Sequence, residues 1–390
     1  MRLLVWCSSA SLGGGTKLFN GLVSALAKDA NIEFMRVVLN CPPEMRRDIR
    51  IERNLNVEIV ELPQGDNSTG LEQARLLAQD CHVVYFFWPH QREWMDLRRP
   101  TVCTFHDTTL FDYVPPFAVG SHISAEYKRA VRWMSNSTMV VAPSIHVASR
   151  IQTHFDVVRD HITVIPHVLM PAPTSSGSIL HERLSEIPEK YILYPANTSP
   201  HKNHANLFLA YQRFAAHNEY PLVLTGFLTD TLRKAPPEWS EIAYIPWLQS
   251  VIRDAGLRID RQLYPLGFIS HQHMQSLIQF ATAVIMPSIS EGGGSYPVEE
   301  ALQSGTPVLC SDIPVLREQM ASHTAKVIWF DPWSPDSIAR ALEELIRGYA
   351  GYKRSAIEGT SNPKMSWEKL AQKYSSTFSE AYLRYRRSLS

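Results

Sequence analysis

Short apolar runs alternate with stretches of helical period along most of this chain. Leu3 to Cys7, Phe34 to Leu39, Val57 to Leu62, Val83 to Phe87, Thr101 to Phe105 and Met139 to Ala142 read as buried strands. Thr16 to Lys28, Ser124 to Met134 and Ile145 to Thr153 carry the helical period between them. Continuous apolar strands joined by helix-length connections predict an open, mostly parallel sheet wrapped by helices. After Ile162 to Pro166 the pattern stops: Met170 to Ser178, MPAPTSSGS, is rich in Pro, Ser and Gly and reads as a linker. It restarts with Tyr191 to Tyr194, a helix over His204 to Ala215, Leu222 to Leu224, a helix over Met274 to Phe280, the strand from Thr282, a helix from Pro297, Val308 to Cys310 and Val327 to Phe330. A chain of 390 residues has room for two cores of roughly 150–200 residues each. The expected organisation is a Rossmann-like α/β domain over 1–169, a linker over 170–188, a second such domain over 189–365 and a helix within 366–390. That last helix carries Trp367, Leu370, Tyr374, Phe378, Tyr382 and Tyr385 at helical spacing, an aromatic stripe read as core.

Composition narrows the function classes. Lys plus Arg equals Asp plus Glu at 38 each, so the whole chain has no basic excess to draw it to nucleic acid. A hydrophobic share of 45% against 19% charged is that of a globular protein. Five cysteines, Cys7, Cys41, Cys81, Cys103 and Cys310, are scattered without CxxC or metal-ligand spacing, which fits a reducing compartment. The start lacks the apolar core and cleavage site of a signal peptide, and no apolar run reaches the ~18 residues of a membrane span. The expectation is a cytoplasmic protein, soluble or peripheral at the inner face of a membrane, with its oligomeric state open.

The densest chemistry lies in Pro287 to Val308, PSISEGGGSYPVEEALQSGTPV. It follows an apolar strand and enters a helix that begins with Pro297 and stops at Gly305. Strand, glycine loop, helix start is the layout of an anion site, because glycines let backbone approach a ligand and free helix N–H groups favour negative charge. Glu291, Glu299 and Glu300 place carboxylates in the same segment. A ligand with both phosphates and hydroxyls would use both, and a sugar nucleotide is such a ligand. Three other segments carry candidate groups. Gly13, Gly14 and Gly15 follow the first strand, with imperfect GxGxxG spacing and no clear acid ending the second strand. Tyr194 to His204, YPANTSPHKNH, leaves a strand and offers Lys202 as a point charge for a phosphate. His106 ends the strand Cys103-Thr104-Phe105. No DxD pair, HxxxH or EF-hand loop occurs, so no metal site is expected.

Together these segments resemble the family 4 (group 1) retaining glycosyltransferases of GT-B fold, particularly bacterial mannosyltransferase-like members. The residues that carry the resemblance are Gly13 to Gly15, His106-Asp107, Val164-Ile165-Pro166, Pro200-His201-Lys202-Asn203, Leu266-Gly267-Phe268-Ile269-Ser270, the Glu291 loop and Trp367. The resemblance implies two Rossmann-like domains facing a cleft, the acceptor on the first, the nucleotide-sugar donor on the second, and a C-terminal helix packing back toward the first. It implies that Lys202 holds the donor phosphates and Glu291 contacts the donor sugar. Amides of Gly292, Gly293, Gly294, Ser295 and Tyr296 would bind sugar and diphosphate, and Gly267, Phe268 and Ile269 would meet the base. Gly13 to Gly15 would close over the diphosphate, and His106 would bind near the transferred sugar. Asn197 stands where many members have an arginine, which shifts phosphate neutralisation toward Lys202 and helix N-termini.

The acid pair departs from the family pattern. Bare EX7E spacing pairs Glu291 with Glu299, but Glu300-Ala301-Leu302-Gln303-Ser304-Gly305-Thr306-Pro307-Val308 matches the family's EAxxxGTPV run and nominates Glu300 as the ribose ligand, with one extra loop residue. The expected activity is metal-independent, retaining transfer of a hexose, mannose favoured, from a GDP- or UDP-type donor to a glycan, lipid-linked or small-molecule acceptor, with no cofactor. A sugar-nucleotide epimerase of the same fold and a non-catalytic carbohydrate-binding protein are the alternatives.

Overall fold

The computed structural model describes residues 1–8, 14–47, 49–51, 56–63, 70–89, 92–113, 120–168, 187–233, 244–360 and 365–390. Gly13 and nearly all of the expected 170–188 linker lie outside the described residues. The chain divides into two compact units, one of Met1–Phe111, Ala118–Val168 and Lys364–Ser390, the other of Asp112–Phe117 and Leu169–Pro363.

The first unit holds β1 (Arg2–Cys7), α1 (Gly14–Leu26), β2 (Phe34–Leu39), α2 (Pro43–Arg46), β3 (Val57–Glu61), α3 (Leu71–Ala78), β4 (Val83–Phe86), β5 (Thr101–Thr104), α4 (Thr109–Asp112), α5 (Gly120–Asn136), β6 (Met139–Ala142), α6 (Ile145–Phe155) and β7 (Ile162–Val164). The strands form one sheet in the order β3-β2-β1-β4-β5-β6-β7, and each pairing is parallel. Period-2 alternation sends Leu3, Val5 and Cys7 of β1 into one core and Leu4 and Trp6 into the other. A strand covered on both faces has no solvent side, which is why its sequence is a continuous apolar run.

The second unit holds β8 (Ile192–Pro195), α7 (His204–Arg213), β9 (Leu222–Thr225), α8 (Tyr244–Asp254), β10 (Leu263–Gly267), α9 (His271–Phe280), β11 (Ala283–Met286), α10 (Tyr296–Gln303), β12 (Val308–Ser311), α11 (Pro314–Met320), β13 (Ile328–Phe330) and α12 (Pro335–Glu358). Its sheet runs β10-β9-β8-β11-β12-β13, again with parallel pairings. The apolar pattern conceals β10, because Pro265 breaks the run; β10 tolerates it as an edge strand with an irregular register at Pro265 and Gly267. The alternation also leaves out α3, α8, α11 and the 24-residue α12.

The last helix, α13 (Trp367–Ser388), belongs to the first unit. Ser366 caps it by accepting the Lys369 N–H at 3.1 Å. Leu370, Tyr374 and Phe378 of the aromatic stripe are buried in the same core as β1 and α1, and complete burial of Phe378 contributes ~2 kcal/mol. The buried Tyr374 hydroxyl meets Thr104 Oγ1 at 3.0 Å, and Thr104 meets the Tyr85 hydroxyl at 2.6 Å, so the stripe's polar end is satisfied. Gly21 makes this docking possible: a Cβ there would lie 2.2 Å from the Trp367 indole. The expected return of the C-terminal helix to the N-terminal domain is therefore present. No helix among the described residues is long and apolar enough to cross a membrane.

Candidate active site

The strand order of the second unit reverses between β8 and β11, where a parallel sheet opens a crevice at its carboxyl edge. Lys202 and Glu291 lie in the loops leaving these two strands. The first loop is built residue by residue. Asn197 accepts the Ser199 N–H on its side-chain oxygen at 3.0 Å, an Asx turn. Pro200 opens a single 3-10 turn through Lys202, and Asn203 ends it at φ 62°, a left-handed conformation that asparagine tolerates. The Asn203 amide donates to the carbonyls of Pro287 at 2.9 Å and Pro332 at 2.7 Å, while the Ile289 N–H donates to the His201 carbonyl at 2.8 Å. The loops after β8, β11 and β13 are thereby tied together.

That tie brings Lys202 Nζ to 2.6 Å from Glu291 Oε1, with the side chains only 16% and 10% exposed. Burial pushes the pKa of His204 down to about 3 and lowers that of His201, so both imidazoles are neutral near pH 7. The block's positive charge therefore rests on Lys202. Asn197, placed where an arginine was noted as usual, spends its oxygen on the turn.

The glycine loop is held from the other side. Gly294 has φ 94°, and a Cβ there would stand 2.8 Å from Gln319 Oε1. Gln319 accepts the Ser295 N–H at 2.7 Å and donates to the Ser295 carbonyl at 2.9 Å. The Ser295 N–H, one of the amides expected to meet the donor, is bonded to Gln319 in this structure. Helix α10 starts at Tyr296 with Pro297 in its first turn and a buried Ser295 whose side chain makes no cap. Tyr296 titrates above its ordinary range, chiefly through burial and next through the charge of Glu300.

The two adjacent acids of α10 have different surroundings. Both oxygens of Glu299 are engaged, Oε1 by Gln303 Nε2 at 3.2 Å and Oε2 by His323 Nε2 at 3.0 Å, with both ion-pair side chains buried. Burial lowers the His323 pKa, and its Nε2–H donates to the Glu299 carboxylate. Glu300 is also buried, beside Tyr296.

At the far edge, the Gly267 N–H donates to Thr229 Oγ1 at 3.0 Å and its carbonyl accepts the Gly226 N–H at 2.8 Å. Phe268 next to it is 61% exposed, and Phe227 after β9 is 54% exposed. Gly226 and Thr229 join no motif, although a glycine closing the strand run Leu222-Val223-Leu224-Thr225 is a visible signal.

In the first unit, Gly14 and Gly15 form the first residues of α1. His106, buried after β5, places Nε2 2.6 Å from the Phe87 carbonyl and stacks on Trp88 at 4.5 Å between ring centroids. His167, 5.5 Å from it by ring centroids, has its pKa pushed down to about 4 by burial.

Residues 12–169 match the family described as Glycosyltransferase Family 4, and residues 181–360 match Glycosyl transferases group 1. O-antigen chain mannosyltransferase B of Escherichia coli is 23% identical over 299 residues, 74% of this chain and 70% of the relative. O-antigen chain mannosyltransferase RfbU of Salmonella typhimurium is 27% identical over 274 residues, 67% of this chain and 70% of the relative. Among solved structures, Anabaena Alr3699/HepE in complex with UDP and glucose superposes with a TM-score of 0.67 at 16% identity, over 100% of this chain and 99% of that one. WaaG, a glycosyltransferase involved in lipopolysaccharide biosynthesis, superposes with a TM-score of 0.63 at 13% identity, over 97% and 98%. Two parallel sheets of seven and six strands match the fold of these neighbours. The chain belongs to the group 1, family 4 glycosyltransferases of GT-B fold.

Proposed function

We propose that this chain transfers a hexose, mannose favoured, from a nucleoside diphosphate sugar to a glycan, lipid-linked or small-molecule acceptor, with retention of configuration and without a metal. The observation that carries the reading is the Lys202–Glu291 pair at the strand-order reversal, beside the glycine loop and the start of α10. Similarity to two O-antigen mannosyltransferases supports mannose as the sugar. A fold neighbour described in complex with UDP-glucose supports a nucleotide sugar as the donor.

In the resting site Glu291 holds Lys202 in place. An entering diphosphate competes for the same ammonium, and the freed carboxylate is then available to donor-sugar hydroxyls. Cleavage of the anomeric bond leaves positive charge on the sugar and negative charge on the diphosphate. Once the donor has displaced Glu291 from Lys202, the ammonium and the start of α10 are already in place to oppose the latter charge as it develops, which is the main route to lowering such a barrier. No side chain is assigned as a covalent nucleophile; the acceptor attacks from the leaving-group face and the departing phosphate takes its proton. His106 of the first unit is assigned to the transferred sugar. The activity is proposed for the inner face of a membrane or the cytoplasm.

The test is incubation with UDP- and GDP-hexoses, with and without acceptor. Transfer, plus slow hydrolysis when acceptor is omitted, is expected. A C2-epimerised sugar from donor alone would replace the transferase reading with an epimerase. Unchanged binding and turnover in Lys202→Ala and Glu291→Ala would remove the proposed site.

A further inference from the structure

The start of α10 is gripped at two points one helical turn apart, and both grips come from α11 and the turn after it. Gln319 holds Ser295 by both backbone groups, at 2.7 and 2.9 Å. His323, four residues on, holds the carboxylate of Glu299, itself four residues on from Ser295, at 3.0 Å. Matching spacing on the two segments lets the grips act in register. Each is difficult to replace. A two-point amide clasp fixes both position and rotation of the peptide it holds, and a buried carboxylate that loses its donor keeps the full cost of its desolvation. Gly294 belongs to the same device, because the Gln319 oxygen occupies the volume that a Cβ at that residue would need.

We propose that Gln319 and His323 are positioning residues for donor binding: they set the rotation of α10 and with it the placement of Glu300 relative to Glu291. This rests on the donor-site reading given above. It goes further by explaining how a loop with one extra residue keeps its two working acids in register. Without the clasp, the three-glycine loop has ample freedom to shift by an ångström, and misplacement of that size costs on the order of 10²-fold in rate. The clasp also sets which amides the loop can offer, since Ser295 gives its own to Gln319.

The experiment measures Kd and KM for UDP- and GDP-hexoses, kcat, acceptor KM and thermal unfolding on the full chain. The variants are Gln319→Met, His323→Leu, His323→Gln, Glu299→Gln and Glu300→Gln. Methionine fills the space of Gln319 without either hydrogen bond, and glutamine at 323 still donates to Glu299. The expected result is a rise of about tenfold or more in donor Kd and KM for Gln319→Met, His323→Leu and Glu300→Gln, with acceptor KM unchanged. His323→Gln and Glu299→Gln, which keep the hydrogen bonds, should stay within about threefold of wild type. A purely structural role would lower the active fraction and the melting temperature while leaving donor KM alone; that result overturns the proposal. Equal losses in Glu299→Gln and Glu300→Gln overturn it as well. Wild-type protein that binds no nucleotide sugar in the panel defeats the donor-site reading itself, a distinct outcome.

Discussion

The carboxyl edges of the two sheets share a topology and differ in chemistry. In the first unit the edge after β4 and β5 is lined by rings: His106 lies against the Phe87 carbonyl and stacks on Trp88, and burial pushes the pKa of nearby His167 down to about 4. In the second, the edge gathers the Lys202–Glu291 pair and two buried acids on α10. Both sheets place the strand-order reversal in the same way, between β1 and β4 in one and β8 and β11 in the other. The sheet therefore supplies a location, and the loops decide whether it handles charge or sugar hydroxyls and rings.

The largest effect should come from breaking the charged edge. Lys202→Ala and Glu291→Gln should each lower kcat/KM by on the order of 10²-fold or more, measured by steady-state transfer, because each removes one partner of a nearly buried pair aimed at developing charge. His106→Ala should lower kcat less, by about tenfold, and leave donor Kd unchanged if the ring-lined edge deals with the transferred sugar alone. A matching fall in nucleoside diphosphate affinity would erase the contrast between the edges.

Next comes the acid pair. Glu300→Ala should weaken nucleotide binding by about tenfold or more, whereas Glu299→Gln, which keeps an acceptor for His323, should stay within about threefold of wild type. Calorimetric titration with a nucleoside diphosphate, beside thermal melts, separates the two. The reverse order would restore the bare EX7E spacing.

Stability predictions are smaller and treat the units separately. In the first, Gly21→Ala drives a methyl into the Trp367 indole and should cost ~1–3 kcal/mol, seen as a lower melting temperature with unchanged nucleotide affinity. In the second, His204 is wholly buried and its pKa falls to about 3 on folding, from an ordinary value near 6.5. The unfolded chain then binds the extra proton, so stability rises with pH in this window. The contribution is fully present above pH ~6.5 and is lost progressively as pH falls toward 3. Denaturant titrations at pH 7 and 4.5 should show a smaller loss on acidification in His204→Phe than in wild type.

Much of this was open to a reader of the sequence. Strands buried on both faces announce themselves as apolar runs, and the HKN block is local, so a strand end, a proline and an asparagine suffice to mark a held loop. The register of EAxxxGTPV nominates Glu300 from sequence alone, whereas the engagement of Glu299 by His323 and Gln303 depends on the fold. Other parts had no local signature. Gln319 lies 24 residues from Ser295 and joins no motif, so its clasp arises from the packing of α11 on α10. Pro265 hides β10, and the Asx turn at Asn197 needs the right backbone dihedrals as well as an asparagine.

The central claim is that the second unit's edge binds the donor through Lys202. Titration calorimetry of wild type and Lys202→Ala with UDP- and GDP-hexoses tests it most directly. The account predicts binding of at least one donor by wild type and a loss of about tenfold or more in the folded variant. Equal affinity in the two proteins would contradict it.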